Sequence, residues 1–255
     1  MSRAAKQNKL TVEINDLPYE QSIDLGLEVK NEYHTFQKIT FELPKSNFIF
    51  ASRLMRKFAI EKYHVNAESS SVIINGAPEI ADKDGPYFDF YEDSRLKFVY
   101  SGTLNKGRAI EDLIAIFENQ LDKLLILLGP EGEWILQNKN TPPNVLYLGS
   151  FRETEAHQIV TKCDVGLIHY DEEKLYYNIC FPTKASFYVV AGIAVLSTPA
   201  AEIYDEFKEQ FLFANFSKWP DFIENLTMQQ VQQSQKAVEN VKFNYTWSNL
   251  LKKLR

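Results

Sequence analysis

Short apolar, β-branched runs alternate along this chain with longer segments that carry a helical stripe. The runs lie at 10–15, 47–52, 71–75, 96–102, 123–129, 145–149, 165–170, 193–198 and 211–215. They are continuously apolar, the pattern of strands covered on both faces in a parallel sheet. Between two of them, 109–121 sets Ile110, Leu113, Ile114, Phe117 and Leu121 on one stripe, which predicts an amphipathic helix. Segments 52–63 and 154–163 read as helices on the same ground, less cleanly, with Ser52 capping the first. Strand–helix alternation at this spacing predicts the doubly wound α/β class, a parallel sheet with helices on both faces.

The alternation breaks once. Residues 77–95 have neither period and carry Pro78, Gly85, Pro86 and a crowd of acids, so 78–95 reads as a linker. It separates a partial Rossmann-like unit at 1–77 from a complete one at 96–240. The first unit has too few runs for a full Rossmann-like half and reads as starting in mid-domain. The end, 241–255, is expected to be an amphipathic helix with Trp247, Leu250, Leu251 and Leu254 on its apolar side, packed back on the first unit. No repeat of fixed short period and no low-complexity segment is present.

Composition narrows the function. With 255 residues, 45% of them hydrophobic, the chain can bury a sizeable core without disulfide or metal. Acids outnumber Lys plus Arg by 34 to 28, a balance that argues against a nucleic-acid-binding surface. The 2 cysteines, Cys163 and Cys180, lack metal-ligand spacing, so no metal and no disulfide framework is expected, and a reducing cytoplasm is the simplest setting. The N-terminal stretch lacks the apolar core of a signal peptide, and the longest apolar stretch, 187–196, is short of the roughly 20 residues that span a bilayer. A soluble protein, at most peripheral to the inner face of a membrane, is the expectation.

In an open parallel sheet, ligands bind beyond the carboxyl ends of the strands, so the residues that follow each strand carry the chemistry. Two such places stand out. After 96–102, Gly102 lets a bound group approach the backbone, and Asn105, Lys106, Gly107 and Arg108 lead into a helix. Cations at a helix N-terminus oppose the dipole unless an anion is bound there. Lys106 and Arg108 either meet a diphosphate or are neutralised on the surface by Glu111 and Asp112. In the second place, 176–197, Thr183 is a candidate N-cap, Lys184 falls in a first helical turn, and Gly192 ends that helix. Lys184 either binds an anion or is solvated. Asn178 either contacts a sugar or phosphate or forms an Asx turn.

Other positions have plainer readings. Asp164, Tyr170, Tyr176 and Tyr177 read first as structural or packing residues, the tyrosines secondarily as flanks for a base or sugar. His157 and His169 have no partner visible in sequence. Glu13 and Asp16 leave a strand end and could face a cleft as a general base.

The order of these pieces resembles the GT-B glycosyltransferases, especially the bacterial glycosyl transferase group 1 kind used for surface polysaccharides and glycoproteins. The resemblance runs from TVEINDLPYE through FIFASRLMRKFAIEKYHV and SVIINGAPEI to FVYSGTLNKGRAIEDLI. It continues in LLILLGPEGE, NVLYLGSFRETE, CDVGLIHY and the Pro182, Lys184, Ala191, Gly192, Val195 stretch, closing with Trp247. It implies a GT-B-like fold whose second domain binds a nucleotide sugar, with UDP as the leading nucleotide and no required metal or other cofactor. The acceptor would be a glycan, lipid or protein. Lys106 and Arg108 would meet the diphosphate, Gly149, Ser150 and Phe151 the base, and Asn178 and Lys184 the sugar and phosphates.

Some positions depart from the family pattern. Thr103 follows Gly102 where group 1 enzymes often have Arg, and the two glutamates seven residues apart are missing, with Phe187 near the second. The family's first strand and Gly-rich loop are also absent from this sequence. The chain is therefore expected to be a fragment, to be completed by a partner chain, or to be inactive. The alternatives to a donor-binding half are a noncatalytic or degenerate subunit that stabilises a partner, and, less favoured, a sugar-nucleotide epimerase of similar fold.

Overall fold

The structure is a computed structural model that describes residues 10–80, 85–105 and 108–254. Its first unit holds β1 (Leu10–Ile14), α1 (Pro18–Asp24), α2 (Asn31–Phe41), β2 (Ser46–Phe50), α3 (Arg53–Tyr63) and β3 (Ser70–Val72). The strands pair in parallel in the order β1-β2-β3, with Val12 beside Phe48 and Phe50 beside Val72. Ser52 caps α3 as its sequence position predicts, its Oγ accepting from the Met55 amide.

The second unit continues with β4 (Leu96–Ser101), α4 (Ile110–Glu118), β5 (Lys123–Leu128), α5 (Glu133–Gln137), β6 (Val145–Gly149), α6 (Glu153–Val160) and β7 (Val165–Ile168). Then come α7 (Leu175–Ile179), α8 (Thr183–Ala191), β8 (Ala194–Ser197), α9 (Ala201–Phe207), β9 (Leu212–Phe213), α10 (Trp219–Glu224), α11 (Met228–Glu239) and α12 (Trp247–Leu250). All six strands are parallel, in the order β6-β5-β4-β7-β8-β9. The order reverses between β4 and β7, which puts the crevice of a doubly wound sheet at their carboxyl ends.

The continuous apolar runs are explained by two cores. One face of the sheet buries Val99, Ile126, Ile168 and Val195 against Tyr188 and Phe207, and the other buries Phe98, Leu125, Leu167 and Leu196 against Leu113, Phe117 and Trp219. Each such leucine or valine contributes about 1.5–3 kcal/mol by leaving water.

Several boundaries differ from the sequence reading. α4 stops at Glu118, so Leu121 leaves the apolar stripe and is 57% exposed. Pro182 takes the extended N-cap position of α8 and Thr183 is already helical, so Thr183 is not the cap. The C-terminal segment is a chain of short turns, Lys242–Tyr245, α12 and Leu251–Leu254, rather than one helix. It lies along the 76–79 segment, where the Ala77 amide donates to the Tyr245 carbonyl and the Trp247 amide to the Ala77 carbonyl. Within 78–95, a 3-10 turn at Asp89–Glu92 buries Phe90 in the second unit's core. The predicted strand at 211–215 is reduced to the two residues of β9.

The two units are tied through α7 and α9. Tyr176, Ile179 and Cys180 pack in the first unit's core with Leu17, Phe50 and Met55. Asp16 accepts from the Tyr176 hydroxyl, and Ser52 donates to the Ile179 carbonyl. Glu202, 1% exposed, accepts from the Arg53 and Leu54 amides at 2.9 Å each, so a carboxylate of one unit caps a helix of the other.

Candidate functional site

At the crevice, three strand ends bring their backbones into contact. The Gly102 amide donates to the Leu128 carbonyl and the Gly129 amide to the Gly149 carbonyl, both at 2.9 Å. Gly129 has φ +141°, and a Cβ there would stand 1.9 Å from the Gly102 carbonyl oxygen. Only glycine fits that approach. Across the switch point, Gly166 leaves room for the Tyr188 ring, whose hydroxyl accepts from the Ser101 amide at 2.9 Å.

The result is a cavity of about 400 Å³ whose walls include Ser101, Gly102, Gly129, Ser150, Phe151, Lys184, Phe187 and Trp247. Gly76 forms part of the wall because a Cβ there would meet the Trp247 ring at 2.9 Å. Its lining combines the polar Ser101, Gly102, Thr183 and Lys184 with the apolar Phe151, Ala156, Phe187 and Trp247, and Glu153 also contributes to the wall.

Lys184 supplies a cation to this lining. Its Nζ lies 4.0 Å from the centroid of the Tyr100 ring and 5.5 Å from that of Tyr170, and 3.5 Å from where a Gly102 Cβ would be. Among the described residues no carboxylate pairs with it. It is half-buried in the first turn of α8, beside backbone N–H groups that no side chain caps. The aromatic faces offset part of the cost of desolvating the ammonium. A cation held against a helix dipole in this way is relieved by a bound anion.

The remaining sequence candidates are placed as follows. Gly102, Ser150, Phe151 and Lys184 meet in the cavity wall, and Gly149 (φ +93°) turns the chain out of β6 just behind it. Arg108 is exposed to one side, its Nε donating to Asn105 Oδ1 at 3.0 Å. Lys106 and Gly107 lie outside the described residues. Asn178 is not in the wall. Its Nδ2 donates to the carbonyls of Glu172 and Lys174, and its Oδ1 accepts from the Ala201 amide at 2.9 Å. Those bonds use up its amide group in fastening α7 to α9, which corrects the reading of Asn178 as a sugar contact.

The structural readings hold for Asp164, whose Oδ2 accepts from the Lys97 amide at 2.8 Å, and for Tyr176, which is core. Tyr170 stacks on Tyr177 at 4.3 Å and lies under Lys184, so it supports the site from below. Asp16 is occupied by Tyr176, while Glu13 lies at the open edge of β1 away from this cavity. Both histidines have partners invisible in sequence. The Nε2 of His157 meets the Phe187 carbonyl at 3.0 Å, and that of His169 meets the Arg108 carbonyl at 2.9 Å. Tyr100, Tyr188 and Trp247 are wall or support residues that the sequence reading did not assign. The signal for Tyr188 was Gly166 inside an otherwise bulky strand, which marks a close approach.

Among the described residues no group of three or more His, Cys, Asp or Glu side chains could hold a metal ion, and no helix is long and apolar enough to cross a membrane.

A three-stranded parallel sheet followed by a six-stranded one with a 3-2-1-4-5-6 strand order and a cavity at its switch point gives a GT-B-like fold. Solved structures agree. Sucrose-phosphate synthase from Thermosynechococcus elongatus matches with a TM-score of 0.76 at 12% identity, covering 99% of this chain and 68% of that one. HepE from Anabaena, solved in complex with UDP-glucose, matches with a TM-score of 0.70 at 12% identity, covering 100% and 75%. WaaG, a glycosyltransferase involved in lipopolysaccharide biosynthesis, matches with a TM-score of 0.65 at 12% identity, covering 96% and 74%. The neighbours are glycosyltransferases of the GT-B fold, and this chain shares that fold with them. No protein-family model and no curated protein matches the chain.

Proposed function

We propose that this chain supplies the donor-binding side of a glycosyltransferase. In this reading the cavity takes a nucleotide sugar, with UDP as the leading nucleotide, and the sugar passes to a glycan, lipid-linked or protein-linked acceptor. The observation that carries the reading is Lys184, a cation with no carboxylate partner among the described residues, held over Tyr100 and Tyr170 beside the Gly102 backbone. A diphosphate there would meet Lys184 and the free amides of α8, which stabilise the charge that develops on the departing nucleotide. The phosphate charge is assigned to these groups, with Lys106 and Arg108 as further cations, rather than to a bound metal ion. The nucleoside would lie along the apolar part of the lining, with its base against Ser150 and Phe151. A cytoplasmic setting and a part in polysaccharide biosynthesis follow from the same reading.

Comparison of UDP, GDP and ADP by calorimetric titration tests this. Saturable UDP binding, tighter than that of the other two, supports the donor assignment, and no binding to any of the three overturns it.

A second reading, a noncatalytic subunit that stabilises a partner chain, rests on a different surface. Ile23, Leu27, Val29, Phe36 and Ile39 are each more than 40% exposed on α1, α2 and the segment between them, in the unit whose β1 has an open edge. A monodisperse, stable monomer by light scattering would count against that reading.

A further inference from the structure

His169 stands directly after β7, on one flank of the switch point, and bonds to the other flank. Its Nε2 lies 2.9 Å from the Arg108 carbonyl, across 61 residues of chain. A carbonyl only accepts, so Nε2 carries the hydrogen and donates it. The ring is held in place by three others: Phe216 stacked at 5.5 Å, Tyr100 at 5.1 Å and Trp219 edge-on at 6.1 Å. Nδ1 is shielded and has no hydrogen-bond partner among the described residues.

The bond falls beside a strained stretch of backbone. Ala109, next in the chain, is the N-cap of α4 with φ +54°, a left-handed conformation for a residue with a Cβ, and no side chain caps the helix. That conformation costs about 1–2 kcal/mol and persists only when the surroundings fix it. Leu104 is fixed separately, its amide donating to the Pro130 carbonyl and its carbonyl accepting from Trp134 Nε1. Among the described residues, the contact that fixes the Arg108 carbonyl is His169. Burial, with the cations Lys184 and Arg108 nearby, pushes the His169 pKa down to about 3. The imidazole is therefore a neutral donor in the neighbourhood of two cations.

We propose that His169 is a positioning residue for the anion end of the cavity. Its Nε2–H clasps the Arg108 carbonyl and so fixes the start of α4 relative to Lys184, without itself touching the ligand. This deepens the donor-site reading and rests on it.

The test uses the full chain and two variants. His169→Phe keeps an aromatic ring and removes the donor, whereas His169→Gln places an amide N–H near the Nε2 position. Titration with UDP and with uridine reads the anion end separately from the nucleoside end. The expected result for His169→Phe is about tenfold weaker UDP binding, with uridine affinity within about twofold of the parent, and His169→Gln recovers most of the UDP affinity. Equal UDP affinity in His169→Phe and the parent overturns the proposal, as does a parallel loss for UDP and uridine. Should the parent chain bind no UDP, the donor reading fails instead, and amide exchange at residues 109–113 decides the clasp. Faster exchange in His169→Phe than in the parent and His169→Gln upholds it, and equal exchange in all three overturns it.

Discussion

The α-carbon of Gly129 faces the carbonyl of Gly102 so closely that a Cβ there would stand 1.9 Å from the oxygen. This contact lets the ends of β4 and β5 close under the cavity. Gly129→Ala is expected to cost more than about 3 kcal/mol in chemical denaturation, because a backbone must move to admit the methyl group. Gly149→Ala provides the contrast. Its Cβ would meet nothing within 4 Å, so only the unfavourable φ of +93° is charged, about 1–2 kcal/mol. Similar losses in the two variants would contradict the packing account.

Ala109 supplies a prediction of the opposite sign. Its left-handed φ of +54° is one that glycine adopts without penalty. Ala109→Gly should therefore raise stability by up to about 1 kcal/mol, the relief of strain exceeding the added entropy of the unfolded chain. A lowered melting temperature would show that the left-handed turn is not the preferred one at this position.

The junction between the units depends on a buried carboxylate. Glu202 accepts from two amides of α3 and lies 3.8 Å from Arg53 Nε, and Glu206 pairs with the same arginine. Glu202→Ala should cost about 2–3 kcal/mol, since it strands two helix N–H groups away from water. Glu202→Gln keeps an acceptor and should cost less. Small-angle scattering of the alanine variant is expected to show the two units moving apart, and an unchanged profile would mean that the core around Tyr176 and Ile179 holds them alone.

His157 makes stability fall on the acid side. Burial pushes its pKa down to about 4 from 6.5, against the opposing pull of its bond to the Phe187 carbonyl. The folded state thus resists a proton that the unfolded state takes up. The full contribution is present above pH 6.5 and is lost as the pH falls from 6.5 towards 4. His157→Gln keeps a donor for Phe187 and does not titrate, so its stability should vary less across that window in denaturation series. An equally steep decline would assign the acid sensitivity to other groups.

Much of this architecture is legible in the residues themselves. The run at 123–128 is apolar apart from Lys123, and it forms the fully buried β5. Lys184 stands out as a cation in a first helical turn, and the structure places it in the wall of the cavity. What could not be read depends on partners distant in sequence. The segment around Trp247 has a helical stripe, but its backbone bonds instead to Ala77, which breaks the helix into turns. Asn178 reads as a loop residue free to meet a sugar until α7 and Ala201 claim its amide. His169 has no neighbour in sequence that foretells Arg108, because the fold alone brings the ends of β4 and β7 together.

The central claim is that Lys184 anchors the diphosphate of a bound nucleotide. Titration of the chain and of Lys184→Ala with UDP, with melting curves confirming that both are folded, tests it most directly. The account predicts saturable binding to the parent chain and affinity about 10- to 100-fold weaker for the variant, the worth of a charge-assisted contact. Equal affinity in the two folded proteins, or no binding to the parent, would contradict it.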